Sequence, residues 1–258
     1  WLPGFSASFD YYKIDISSAI TSFTASQLLN LCYAGSATAC SGISTIGTDG
    51  SGLPILRIVS GPANFASEKA RGFDVEAGYA LPLDTVFENG KGDLAFRLLA
   101  THAISDIQNS GVPGTIPQQL AGQNVGSASP YWKFQASVNY RLDPVMVGLT
   151  MRGVSSGVYN TNWITCTTGC PVSTANNITT DMNHMPAIVY FDINARYDIP
   201  TGDHSAVELF FNVRNLLNKN PPVYYPGPNG NAWQIYPASP ANYDILGRVF
   251  RAGLRFNL

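Results

Sequence analysis

The last fifteen residues of the chain, 244–258, place the strongest constraint on its fold. From Phe250 onward, apolar residues occupy every second position, and arginine, glycine or asparagine occupies the positions between them. Because successive side chains of a β-strand point to opposite faces, this pattern predicts a strand with one apolar and one cationic face. A strand with hydrocarbon on one side and water on the other is typical of a membrane β-barrel.

The same alternation recurs in seven earlier segments, which are separated by turn-forming residues. The eight predicted strands cover residues 5–16, 73–79, 94–101, 132–141, 145–152, 189–198, 207–214 and 250–258. Their polar positions carry charges of both signs, as expected for side chains that face water inside a barrel. Aromatic residues near the strand ends are predicted to form girdles at the two membrane interfaces. These residues are Tyr131, Trp132, Tyr140, Tyr190 and Tyr197.

The connecting segments differ in length in a way that favours an outer-membrane barrel. Residues 142–144 and 199–203 are predicted tight turns, and residues 82–92 form a connector of medium length. The long connectors are rich in Gly, Pro, Ser, Thr and Asn, and cover residues 17–65, 109–129, 158–186 and 215–243. A short apolar run at residues 53–59 is expected to extend the first of these loops. Tight periplasmic turns and long extracellular loops are typical of such barrels.

Composition narrows the alternatives without choosing between them. Only 12% of the 258 residues are charged, about half the fraction in typical soluble domains. No apolar run reaches the roughly 18 residues that a membrane-spanning helix requires. A secreted β-sandwich shares this composition, and it stays open as an alternative fold. The net charge of −2 gives no support for a nucleic-acid partner.

The four cysteines form two close pairs, Cys32 with Cys40 and Cys166 with Cys170. Each pair lies in a predicted long loop, so loop disulfides in an oxidising compartment are the simplest interpretation. A metal site is the rival, although neither pair has CxxC spacing or a nearby histidine. The histidines His102, His184 and His204 are scattered, and we expect neither a metal site nor a cofactor.

Five segments, in order, resemble the C-terminal third of TonB-dependent outer-membrane receptors. Residues 1–16 resemble the family's L-x-G-L-x-F-S-V-D-Y-Y strand, and residues 25–35 are similar to a short loop helix that follows it. The other segments are 68–79 (x-G-x-D-x-E-x-x-Y), 211–222 (V-x-N-L-F-N-K-x-P-P) and 244–256 (D-x-x-G-R-x-F-x-x-G-L-R). Each motif is weak alone, but the ordered set is specific and spans nearly the whole chain.

The resemblance implies an all-β, antiparallel transmembrane barrel of about 22 strands around an N-terminal plug. Residues 1–258 would form the C-terminal portion of that barrel domain, about eight strands, and contain neither the plug nor a TonB box. The implied partners are the rest of the receptor, the TonB–ExbB–ExbD complex, and the lipid and lipopolysaccharide of a Gram-negative outer membrane. A surface lipoprotein that caps the barrel is an open alternative.

The expected function is active transport of a scarce nutrient, such as a siderophore, corrinoid or carbohydrate, into the periplasm. A passive porin or structural barrel, and a secreted β-sandwich binding protein, are the alternatives. No catalytic motif is present, so the chain is not expected to be an enzyme. Aromatic residues of the last two long loops are candidates for ligand binding: Trp163, Tyr224, Tyr225, Trp233 and Tyr236.

Members of this family usually end on an aromatic residue, which the barrel-assembly machinery recognises. This chain ends on Leu258 instead. The resemblance therefore assigns the assembly signal to Phe250, Phe256 and Leu258 together, with Phe256 in part of the terminal aromatic role.

Overall fold

A computed structural model shows that eight long strands form one antiparallel sheet. It describes residues 2–33, 35–111, 115–125, 128–174, 176–201, 206–223 and 242–257. The strands are β1 (Phe5–Ser22), β2 (Pro62–Pro82), β3 (Asp93–Asn109), β4 (Trp132–Leu142), β5 (Val145–Val154), β6 (Ile188–Pro200), β7 (Ala206–Arg214) and β8 (Val249–Asn257). Long strands that are consecutive in the chain pair with each other, so their order across the sheet is the chain order. All eight predicted strands are confirmed.

The connector lengths also agree with the prediction. Two residues join β4 to β5, and a connector that contains a short 3-10 helix, Leu83–Thr85, joins β2 to β3. Long segments follow β1, β3, β5 and β7 at the opposite end of the strands. We call these two ends of the sheet the short-turn end and the long-loop end.

Cross-strand pairing keeps polar residues on one face of the sheet. Asn139 on β4 lies opposite Gly148 on β5, which lies opposite Asn194 on β6 and then Asn212 on β7. Ion pairs bridge neighbouring strands on this polar face, including Arg97 with Glu76. Glu208, whose side chain is only 8% exposed, contacts both Arg196 and Arg255. The polar side chains of adjacent strands therefore form one continuous hydrogen-bonding surface.

The other face of the sheet carries large apolar side chains that remain exposed. Leu209, for example, is 38% exposed although Tyr197 and Leu254 lie opposite it on the adjacent strands. The same holds for Phe9, Phe96, Leu98, Leu149, Phe211, Phe250, Leu254 and Phe256. A β-sandwich covers such a face with a second sheet about 10 Å away. Among the described residues no second sheet does so, which counts against the β-sandwich alternative.

The chain divides into two compact units, one of residues 1–13, 71–106 and 120–258, the other of residues 14–70 and 107–119. The second unit contains the helices α1 (Ala25–Tyr33) and α2 (Ala37–Ser41) and a hairpin of Ile43–Thr48 with Pro54–Ile58. Thr24 and Gln27 cap α1 reciprocally through their side chains and backbone amides, which is the capping-box arrangement. Leu28, Leu31 and Ala39 form a small apolar core in this second unit.

Two predictions about the loops need correction or extension. Residues 53–59 do not extend an irregular loop, because Pro54–Ile58 pairs as a strand of the hairpin. The strands β1 and β2 continue to Ser22 and back to Pro62, well into the predicted loop 17–65. The sequence there lacks a strong contrast between apolar and polar positions, so pairing with a neighbour rather than the local pattern sets the strand ends. The helix at residues 25–35 is confirmed as α1.

Shorter paired segments lie in the remaining long loops. Gly157–Val158 pairs antiparallel with His184–Met185, and Ile164–Thr165 pairs parallel with Thr179–Thr180. Gln118–Gln119 pairs with the end of β3. These segments give the loops a hydrogen-bonded framework of their own.

The apolar face predicts an asymmetric response to arginine substitution. In the full receptor, we expect Leu209→Arg to lower the free energy of unfolding by about 2–4 kcal/mol, because a cation in hydrocarbon is costly. The control Asn194→Arg changes a polar-face residue and should cost far less. Urea unfolding of the two variants in lipid vesicles measures both values. Equal losses at the two positions would contradict the assignment of faces.

The two cysteine pairs lie within disulfide reach, with Cα–Cα distances of 4.6 Å for Cys32–Cys40 and 5.6 Å for Cys166–Cys170. We therefore predict that a thiol-specific maleimide adds no mass to the denatured, unreduced chain. After reduction, four additions should appear in the intact mass. A labelled cysteine in the unreduced sample would rule out the disulfide for that loop.

Candidate functional site

Four charged residues meet on the polar face at the long-loop end. Arg152 of β5 donates from Nε to Asp192 Oδ2 of β6 over 2.6 Å and from Nη2 to Asp192 Oδ1 over 3.2 Å. Asp244, in the segment before β8, accepts from Arg152 Nη2 and, over 2.6 Å, from Arg214 Nη2 of β7. We call these residues, Arg152, Asp192, Arg214 and Asp244, the charge cluster. It joins three adjacent strands to the last long loop.

Because the charge cluster is largely buried, its ion pairs hold the last long loop firmly against the strands. The Asp244 side chain is only 5% exposed, and those of Arg152 and Asp192 are about a quarter exposed. Tyr190 is 2% exposed; its hydroxyl accepts the Asp244 backbone N–H, and its ring lies 4.8 Å from the Arg152 guanidinium carbon. A buried carboxylate is stable only when charged partners replace its lost hydration. Here two arginines supply that compensation.

A tight turn after β7 connects the charge cluster to the segment that precedes β8. Asn215 adopts a φ of 53°, a left-handed conformation that asparagine tolerates better than most residues. Its backbone N–H donates to Asp192 Oδ1, and its side chain exchanges hydrogen bonds with the backbone of Lys219. Asn218 in turn accepts the backbone N–H of Arg248. The motifs at residues 211–222 and 244–256, separate in sequence, are therefore hydrogen-bonded to each other.

Three long loops are packed together at the long-loop end of the sheet. Val154, Met185, Ile188, Tyr190 and Tyr243 form a buried apolar core, with Val125 against it. A set of asparagines joins the same loops by side-chain hydrogen bonds to backbone groups. Asn242 donates to the Asn124 carbonyl and Asn124 donates to that of Ser155, while Asn183 donates to that of Asn160 within a single loop. Such bonds fix the loop backbones relative to the strands.

A pocket of about 250 Å³ opens beside the charge cluster. The polar face contributes Lys133, Gln135 and Arg152, among other residues, and the loop segment 242–244 also lines the pocket. Tyr190 and Tyr243 add aromatic residues to the lining. A concave site with a few polar groups on a rigid frame is suited to hold a small ligand.

Of the five residues predicted to bind ligand, only Trp163 is among the described residues, and it lies outside this pocket. Trp163 is half-buried and stacks on Tyr159 with ring centroids 4.7 Å apart, so it packs a loop and does not line the pocket. Tyr224, Tyr225, Trp233 and Tyr236 fall outside the described residues.

The proposed assembly residues lie on the last strand. Phe250 and Phe256 are both more than 60% exposed on the apolar face of β8. Leu258 is outside the described residues. A role for these residues in recognition by the assembly machinery therefore stays a prediction.

One aromatic prediction is wrong. Tyr190 is not an interfacial girdle residue, because its side chain is buried on the polar face and contacts Arg152 and Asp244. Its position in β6, in the same alternation as Asp192, is the sequence signal that would have shown this. The residues that build the pocket, Lys133 and Arg152 above all, carry no motif that marks them in the sequence.

Two features are absent from the described residues. Within those ranges, no group of three or more His, Cys, Asp or Glu is arranged to hold a metal ion. In the same part of the chain, no helix is long and apolar enough to cross a membrane.

An antiparallel sheet with an exposed apolar face, a polar opposite face and long loops at one end defines the class of outer-membrane β-barrel walls. The chain belongs to the TonB-dependent receptor family: the family model described as TonB dependent receptor-like, beta-barrel, matches residues 1–216. Members of this family are transporters of the bacterial outer membrane. No curated protein and no solved structure matches the chain.

The charge cluster predicts a large effect of removing Asp244. We expect Asp244→Ala to lower the free energy of unfolding of the full receptor by about 3–5 kcal/mol, because it removes the buried carboxylate that binds both Arg152 and Arg214 and leaves Arg152 with Asp192 alone. Glu76→Ala is the matched control. It breaks the exposed pair with Arg97, which should change the free energy by about 1 kcal/mol or less. Urea titration gives both values, and similar losses would show that Asp244 is not an anchor.

Proposed function

We propose that the chain forms the C-terminal wall of an outer-membrane receptor that takes up a scarce nutrient with energy supplied through TonB. The observation that carries this proposal is the match of residues 1–216 to the receptor barrel family. The exposed apolar face supports it, because such a face is stable in hydrocarbon and costly in water.

The edges of the sheet support a wall within a larger barrel. Among the described residues, β1 and β8 each pair with only one other strand. An unpaired strand edge leaves backbone N–H and C=O groups without partners, which is unfavourable in hydrocarbon. We infer that other strands of the receptor, about 14 in a barrel of about 22, cover these edges. An N-terminal plug inside that barrel would complete the receptor and contact TonB.

In this orientation, the long-loop end faces the cell exterior and the short-turn end faces the periplasm. The pocket beside the charge cluster then opens to the outer part of the barrel interior, where an incoming nutrient arrives. Loop aromatics, including Trp163 and the four residues at positions 224, 225, 233 and 236, are the proposed outer contacts. A siderophore, a corrinoid and a carbohydrate are the ligand classes to be compared.

TonB dependence separates this function from a passive porin. Cells that carry the full receptor should take up one class among ferric siderophores, cobalamin and oligosaccharides with saturable kinetics. Deletion of TonB should abolish that uptake, because the plug would no longer be displaced. The matched control is the same strain without the receptor. Uptake that persists without TonB would support a passive barrel instead.

A further inference from the structure

Lys133 differs from the two arginines that line the pocket. It lies at the start of β4, opposite Thr101 on β3 and opposite Val154 on β5, so neither cross-strand neighbour is acidic. Within the described ranges, no carboxylate forms an ion pair with Lys133. In contrast, Arg152 and Arg214 both contact Asp244. Lys133 therefore adds a charge to the pocket that the protein does not neutralise there.

The pocket as a whole carries excess positive charge. Lys133, Arg152 and Arg214 line it, and Asp244 is its only carboxylate lining residue among those described. Asp192, which binds Arg152 from outside the lining, compensates one further cation. The remaining positive charge is notable in a chain whose net charge is −2. Walls of low dielectric strengthen the attraction of such a charge for an anion.

The groups around Lys133 are fixed before any ligand binds. The Tyr190 hydroxyl is held by the Asp244 backbone, and the Asn242 side chain is held by the Asn124 carbonyl. Arg214 uses Nη2 for Asp244, while its side chain remains 63% exposed toward solvent. A preorganised site loses less conformational entropy when it binds its ligand.

We propose that this pocket binds an anionic oxygen group, a carboxylate or phosphate, on the transported nutrient, with Lys133 as its main contact and Arg214 as a second cation. The inference rests on the proposed uptake function and names the chemical class of the ligand. Lysine is suited to this role because its ammonium donates three hydrogen bonds from a flexible stem.

A cysteine reporter in the pocket tests the local potential directly. Gln135 lines the pocket, lies two residues from Lys133 on the same face and is exposed. The full receptor with Gln135→Cys is labelled with two methanethiosulfonate reagents. One carries a negative sulfonatoethyl group, and the other carries a positive trimethylammonioethyl group. Peptide mass gives the labelling rate for each reagent. We expect the ratio of anionic to cationic rates, normalised to a free thiol, to exceed one. At low ionic strength, Lys133→Gln should lower this ratio about threefold to tenfold.

Matched variants separate the role of Lys133 from general effects. Lys133→Arg keeps the charge and should preserve the ratio, whereas Lys91→Gln removes a charge at the short-turn end and should leave it unchanged. A reporter at Asn139→Cys lies six residues along β4, about 20 Å from Lys133, which is beyond the screening length of about 10 Å. Its ratio should not respond to Lys133→Gln. Heat-modifiable migration confirms that each variant is folded.

Competition identifies the bound chemistry. Citrate and inorganic phosphate, at ionic strength matched with sodium chloride, should slow labelling of the Gln135→Cys variant, and neutral maltose should not. The proposal is overturned if Lys133→Gln leaves the ratio unchanged, or if neither anion protects. It is also overturned if the reporter thiol of Gln135→Cys reacts with neither reagent, because another part of the receptor then fills the pocket. The assay involves no transport, so its failure is distinguishable from a loss of TonB-dependent uptake.

Discussion

The fold depends on one physical constraint, which is that every backbone polar group of the sheet must find its partner within the sheet. Hydrocarbon offers no hydrogen bonds, so strands that present an apolar face to lipid are stable only when both their edges are paired. The regular antiparallel register pairs β4 to β7 on both edges over most of their length. Because the backbone groups are satisfied within the sheet, one face can carry apolar side chains while the other carries polar ones.

This constraint explains why the described part of the chain contains so little buried apolar core. The largest described cluster lies at the long-loop end, around Met185 and Tyr243, and not between layers of the sheet. Stability of the wall comes from its ladder and from cross-strand polar contacts, of which Glu208 with two arginines is one example. Packed apolar residues serve mainly to hold loops to strands.

The charge cluster shows how a loop is held in place without a large core. Asp244 reaches back to two strands, and the turn at Asn215 reaches forward to Arg248 through Asn218. The two ends of the last long loop are thereby fixed beside each other. The pocket beside Lys133 is a consequence of this closure, since the segment 242–244 forms one of its walls.

The sequence by itself determined the strands and their two faces, because alternation with period 2 is a local property that needs no knowledge of neighbours. It also determined the placement of long and short connectors, and the ordered motifs indicated the family. Only the tertiary structure decided that Arg152 and Asp244, 92 residues apart, share a hydrogen bond, and that Tyr190 is buried beside them. Those contacts depend on which strands are adjacent and where a loop returns, and the free energy of such non-local pairing is not encoded in any short pattern.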